Sequence, residues 1–249
     1  MKNNSIFKNT QIIILGMCVA AATIASSFKF SHGLLRIMKF KQEQISVTGS
    51  AQKEIKSDFI SWTCSFSARS ENLAGAYKNL SETLPIVKKY LILKGITEDQ
   101  IIVSQIYTKI LYLKNEKGNN TNTIQGYELS QNIDVMSGEV DKITGISRDS
   151  TELINQGVNF VSYAPQYTYT KLDSLKVEML SEASENARQR AQSMVNATGN
   201  KIGFIRSAKM GVFQITPVNS TEISDYGIND VTSLYKKVTA VVSASFAIK

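Results

Sequence analysis

Ile45-Ser-Val-Thr-Gly-Ser-Ala51, followed after Ser57-Asp58 by Ile60-Ser-Trp-Thr-Cys-Ser-Phe-Ser-Ala68, alternates apolar and polar residues through both segments. In the first, Ile45, Val47, Gly49 and Ala51 share a face, and in the second Ile60, Trp62, Cys64, Phe66 and Ala68 do. A period of two with one apolar face is the pattern of a half-buried strand. The two segments read as an antiparallel hairpin turning at Ser57-Asp58. The chain's single Trp lies on the apolar face, so this pair is expected to seed the core.

Downstream, Ser70 is placed as a helix cap with Glu71 in the first turn. Leu73, Tyr77, Leu80, Leu84, Val87 and Leu91 form the helix's apolar stripe. Pro85 predicts a kink within it, and Gly95 a left-handed stop. Ile101–Leu113 reads as one long strand. It is joined through the polar loop Lys114–Thr123 to a strand at Ile124–Met136. A second helix spans Glu139–Gln156, started by Ser137 and ended by Gly157. A strand follows over Val158–Tyr169, with Pro165 marking an edge or a bulge. Thr170 and Asp173 form a capping pair for the longest helix. Its stripe is Leu172, Leu175, Met179, Ala183, Ala187, Ala191 and Met194, and Gly199 ends it. Strands at Gly203–Ile215 and Lys237–Ile248 enclose a polar loop, Thr216–Leu234.

Helices spaced among hairpins predict an α+β fold, with antiparallel sheets of long hairpins packed against about three helices. Two α/β lobes meeting near Ser137 are compatible with that order.

The formal net charge of +7 is unevenly placed. Lys2, Lys8, Lys29, Arg36, Lys39 and Lys41 fall within residues 1–41, which hold no Asp or Glu. The remainder is close to neutral, and this argues against nucleic-acid binding. The basic residues flank an apolar run, Ile12–Phe28, at the short end of a membrane span. The run reads as a signal-anchor, the alternative being a cleaved secretory signal. Leu34, Leu35, Ile37, Met38 and Phe40 continue it as a tilted or interfacial helix end. Residues 1–41 are accordingly the anchor and juxtamembrane segment, and 42–249 the folded domain.

Chemistry-bearing residues are sparse. His32 is the only histidine and lies in the membrane-proximal segment, which removes His-based triads and His metal sites from the folded part. Cys18 and Cys64 make no disulfide framework, and the strand phase of Cys64 buries it. Glu152 could join another acid only if folding brought one close. No catalytic, cofactor-binding or metal-binding residue is assigned, and no cofactor is expected.

Several features together resemble the SIMPL-domain family, a domain of unknown function. They are Ile45-x-Val47-x-Gly49-x-Ala51, Asp58, Trp62, Lys94-Gly95-Ile96, Gly126-Tyr127-x-x-Ser130 and Gly157-Val158-Asn159. The series Ala183/Ala187/Ala191 before Gly199 completes the set. The resemblance spans Ile45 to Ile248. It implies a bacterial cell-envelope protein, in a family linked to oxidative-stress defence, some of whose members assemble into ring-like oligomers. It carries no catalytic residues across.

The expected function is that of a non-enzymatic, membrane-anchored envelope protein acting through self-association or an unidentified protein partner. It would cross the bacterial inner membrane once, with its domain facing the periplasm; the alternative is secretion to the periplasm after signal cleavage. Two other classes compete. One is a thiol-dependent stress protein using Cys64. The other is a small-ligand-binding module roofed by Thr216–Leu234, with Asp225, Tyr226 and Asn229 as polar contacts.

Overall fold

In the computed structural model of the chain, residues 4–42 and 44–249 are described, with side chains for residues 14–33 and 44–249. A 39-residue helix, α1 (Asn4–Gln42), opens the chain. Then come β1 (Gln44–Lys56), β2 (Phe59–Ser70), α2 (Leu73–Leu93), β3 (Ile101–Val103), β4 (Tyr107–Lys114) and β5 (Asn120–Ser137). These are followed by α3 (Val140–Asp149), β6 (Asn159–Ser162), β7 (Gln166–Thr168) and α4 (Leu172–Asn196). Last are β8 (Ile202–Met210), β9 (Gln214–Pro217), β10 (Ile228–Asn229) and β11 (Tyr235–Ile248). The fold is α+β, with two mostly antiparallel sheets and no closed barrel. It divides into two compact units. Ser137, the expected meeting point of two lobes, lies inside the larger one.

The larger unit holds Ala51–Leu180 and Val212–Ala240. β2 is its central strand. Along one edge it pairs with β5, from Ile60↔Ser137 to Ser70↔Tyr127. Along the other it pairs with β6 and β7. β3 and β4 lie on the far side of β5. The apolar face of β2 is buried as its alternation predicts: Ile60, Trp62, Cys64 and Phe66 are inaccessible or nearly so. Leu80, Val87 and Leu91 of α2 and Ile143 of α3 join the same core. Burying an aromatic such as Phe66 contributes roughly 3 kcal/mol.

The expected β1–β2 hairpin does not form. β1 lies beside β11 in one sheet, whereas β2 is enclosed by β5, β6 and β7 in the other. Ser57-Asp58 therefore carries the chain between sheets. The Ser57 N–H donates to the Leu234 carbonyl at 2.9 Å and the Asp58 N–H to the Thr168 carbonyl at 3.1 Å. Alternation sets which face of a strand is buried and leaves open which strand lies at its edge.

Three expected strands are interrupted. Ile101–Leu113 breaks into β3 and β4 at Ser104, whose N–H donates to the Asn132 carbonyl at 2.9 Å while its hydroxyl accepts from the Asn132 N–H at 3.0 Å. Val158–Tyr169 breaks into β6 and β7 around Pro165, and Gly203–Ile215 into β8 and β9. Asn72, not Ser70, caps α2, accepting from the Gly75 N–H at 2.7 Å. Pro85 lies inside a helix that runs unbroken from Leu73 to Leu93. The second helix is α only to Asp149 and tightens to a 3-10 turn over Ser150–Gln156. Gly95, Gly157 and Gly199 all take the left-handed conformation expected of helix stops.

The smaller unit holds residues up to Ser50 with Ser181–Gly211 and Val241–Lys249. Here β11 pairs with β8 from Val242↔Met210 to Ile248↔Ile202. Ala187 and Ala191 of α4 pack with Ala244 and Phe246, and Ile45, Val47 and Ile202 close the cluster. The alanine stripe continues to Val195, and Met194 turns out to solvent. Four-residue spacing holds one face better than the three-residue step to Met194.

Within α1, Ile14–Gly33 is long and apolar enough to cross a membrane, a length and composition that also fit a signal sequence. At 1.5 Å per residue α1 extends about 58 Å, roughly twice a hydrocarbon core. The side chains of Leu34, Leu35, Ile37, Met38 and Phe40, and of Lys2 and Lys8, lie outside the described residues.

Candidate functional site

Cys64 is 0% exposed, between Trp62 and Phe66 in the buried phase of β2. Burial, with the Asp134 charge adding to it, pushes its thiol up to about 12. A thiol held this way is protonated and out of reach of solutes, the opposite of what nucleophilic sulfur requires. Glu152 faces Lys94 at 3.5 Å, so the carboxylate that sequence left open for an acid pair meets a cation instead. His32 and Cys18 are both on α1, with the His32 ring tilted at 59° to that of Phe28 and 5.1 Å from it between centroids. Among the described residues no group of three His, Cys, Asp or Glu side chains gathers for a metal ion.

The Thr216–Leu234 loop is tethered from beneath. The Gln214 amide donates to the Ser224 carbonyl at 2.7 Å, and the Lys237 ammonium to the Ser220 carbonyl at 2.9 Å. Tyr226 is 98% exposed, and Asp225 and Asn229 are also on the surface.

The structure instead builds a polar knot that sequence reading missed. Lys236 is only 3% exposed. Its ammonium donates to the Tyr167 carbonyl at 2.6 Å and to the Asp230 carbonyl. Burial lowers its pKa, opposed by the Asp230 charge. The Asp230 carboxylate accepts from the Thr232 N–H at 2.8 Å and the Thr232 hydroxyl at 2.7 Å. Burial works to raise the Asp230 carboxyl, but hydrogen bonds from Ser233 and Thr232, with Lys236 nearby, outweigh it and hold the pKa low. The second Asp230 oxygen and the Ser57 hydroxyl are buried without a protein partner. A clue was available: Lys236 stands in phase with Val238, Ala240 and Val242, so alternation read one step back buries it.

Beside the knot, Asp58 accepts from Thr170 twice, from its N–H at 2.7 Å and its hydroxyl at 2.8 Å. Thr170 thus ties the entry of α4 to the start of β2, and the expected capping pair with Asp173 does not form. Lys56, Ser57 and Asp58 face Gly138–Lys142 across an open groove of about 460 Å³. Four of its charges pair off, Lys56 with Asp141 at 2.6 Å and Lys142 with Glu139 at 2.9 Å. The fifth, the Asp58 carboxylate, is occupied by the Thr170 N–H and hydroxyl. The knot and groove are suited to fixing the chain where it changes sheets.

The β4–β5 hairpin carries several exposed apolar side chains. Tyr107, Ile110, Tyr112 and Leu113 of β4 and Ile124 of β5 are open to solvent. Arg69, Lys109 and Lys114 lie along it.

The model of the SIMPL family, described as a protein of unknown function (DUF541), matches residues 45–246. That span takes in both sheets and helices α2 to α4. No curated protein matches the chain.

Proposed function

The chain belongs to the SIMPL family, and from that premise we propose a membrane-anchored cell-envelope protein that works through self-association or partner binding, not catalysis. The observation that carries this reading is α1, whose apolar stretch Ile14–Gly33 has no buried residues. An uncovered apolar helix of 20 residues is stable in lipid and costly in water. The expected topology is a single pass through the bacterial inner membrane with the domain in the periplasm. Basic residues flank both ends of the span, so this orientation rests on the family resemblance. The resemblance alone supports envelope and oxidative-stress defence as the setting. Surface action is favoured over thiol chemistry because Cys64 is sealed in the core.

Fractionation of cells expressing the full chain with a C-terminal tag tests the anchor. The full-length protein should stay in the membrane pellet after alkaline carbonate and become protease-sensitive once the periplasm is opened. A shortened, soluble periplasmic form would replace the anchor with a cleaved signal, and a soluble full-length cytoplasmic form would reject the proposal. Light scattering of the detergent-solubilised full chain tests self-association, which a strict monomer at micromolar concentration would reject.

A further inference from the structure

Resting on the anchor reading above, we propose that the smaller unit docks on the anionic lipid headgroups around α1. It does so through a basic platform, Lys201, Arg206 and Lys249 about the exposed Phe204 ring.

Strand directions place this platform at the end of the sheet where α1 joins. Ser46 Oγ lies 2.7 Å from Ser245 Oγ, and Thr48 Oγ1 lies 3.4 Å from Ser243 Oγ, so β1 and β11 run antiparallel. β8 also runs antiparallel to β11, with Ile202 opposite Ile248. Lys201 and Lys249 exchange both backbone hydrogen bonds, each at 2.8 Å. The start of β1, the start of β8 and Lys249 therefore gather at one end. One residue separates Gln42, the last of α1, from Gln44, the first of β1. That gap spans at most about 7 Å between Cα atoms. An upright α1 carries its last residue only about 14 Å past Gly33. The headgroup layer fills roughly 6 Å of that distance. The remainder is about one Debye length, ~8 Å at physiological salt.

The side chains at this end suit such a surface. Phe204 is 58% exposed and sits where the β8–β11 register shifts. The Arg206 guanidinium lies 4.8 Å and the Lys249 ammonium 5.9 Å from its ring centroid. Lys201 and Lys249 are exposed, and among the described residues neither forms an ion pair. Charge is also divided between the units. Beyond residue 43 the smaller unit holds six basic residues against Glu182 and Glu185, whereas the larger holds sixteen against eighteen acidic ones. Even with an α-carboxylate counted at Lys249, the smaller unit is net positive. The chain leading into it brings Arg36, Lys39 and Lys41 against Glu43 alone. Each basic residue close to an anionic leaflet strengthens attachment about fivefold. The exposed ring adds an apolar foot at the acyl boundary. The tether selects lipid over other polyanions: α1 holds the platform beside headgroups, so docking is intramolecular.

The test uses the full chain in nanodiscs of phosphatidylcholine, with or without phosphatidylglycerol, each carrying a trace of lipid with a nitroxide on its headgroup. Phe204→Trp puts an indole on the platform, and Met210→Trp puts one at the far end of β8, about 20 Å away along the strand. Trp62, sealed in the core, gives the baseline in the wild type. Quenching at Phe204→Trp should exceed that at Met210→Trp, require phosphatidylglycerol, and fade at about 1 M salt, where the Debye length is ~3 Å. Adding Lys201→Gln/Lys249→Gln removes two charges, about twenty-fivefold in the docking equilibrium, and should return quenching to the phosphatidylcholine level. Should a variant unfold, hydrogen exchange of the wild type decides: Lys201–Ser207 should exchange more slowly on phosphatidylglycerol than on phosphatidylcholine. A chain held in the nanodisc without either response to anionic lipid overturns the platform and leaves the anchor standing. The same protection produced by double-stranded DNA on phosphatidylcholine nanodiscs would make the patch a general polyanion site and overturn its assignment to lipid. A chain that does not stay with the nanodisc removes the anchor, and the platform with it.

Discussion

A Cβ built on Gly49 would lie 2.7 Å from the Cα of Ala187, and closer still to the Ala187 nitrogen and the Ala183 carbonyl oxygen. β1 and α4 are thus in backbone contact at this point in the smaller unit, and the alanine stripe of α4 exists to permit it. Gly49→Ala should cost about 3 kcal/mol or more, because the atoms in the way are backbone and cannot rotate aside. Urea unfolding of the single variant measures this. Adding Ala187→Gly should recover nothing, since the Ala187 side chain is not the obstacle. A double variant restored to wild-type stability would contradict the backbone contact.

Gly126 makes a second close approach: a methyl added there would sit 2.7 Å from the Ser70 carbonyl oxygen. It marks the point where β5 passes the end of β2 and continues into the hairpin. Gly126→Ala should destabilise by about 1–3 kcal/mol, through displacement of β5 from β2. Hydrogen exchange gives the specific readout: protection should fall first at Tyr127–Leu129 and Ala68–Ser70, and an evenly spread loss would point elsewhere.

These two glycines show what the sequence made legible. Gly49, Gly126 and the four-spaced alanines stood out by pattern, and each is explained by a steric contact. The apolar phase of β2 was equally readable, because burial of Ile60, Trp62, Cys64 and Phe66 depends on local alternation. Strand partners were not readable. The proximity of β1 to β2 in sequence favoured a hairpin, yet the edges of β2 are filled by β5, which comes some fifty residues later, and by β6 and β7. That choice depends on how well long strands match across an edge. The break at Ser104 and the Asp58–Thr170 tie were hidden for the same reason: each is a hydrogen bond between residues distant in sequence.

Asp58→Ala removes both acceptors of Thr170 and should cost about 1–3 kcal/mol. Asp58→Asn should lose less, since its one carbonyl oxygen still accepts. A double-mutant cycle with Thr170→Ala isolates the tie through thermal melts. Additive losses in that cycle would show that Asp58 acts through other contacts, whereas strong coupling confirms that it joins the start of β2 to the entry of α4.

Cys64 gives the fold a pH signature. The thiol titrates near 9.0 when free and near 12 in the fold. Below 9.0 both states hold the proton, and the stabilising contribution is fully present. As pH rises between those values only the unfolded chain loses its proton, so stability falls by about 1.4 kcal/mol per pH unit. Denaturant titrations from pH 8 to 11 on the Cys18→Ser background measure the slope. Cys64→Ala should flatten it by one proton while costing about 1–2 kcal/mol at neutral pH from the small cavity it leaves. Thiol labelling reads the same burial kinetically: at pH 8 Cys64 should react only as fast as the larger unit opens. Rapid labelling of the native chain would place the sulfur at the surface and bring back the thiol-dependent reading of function.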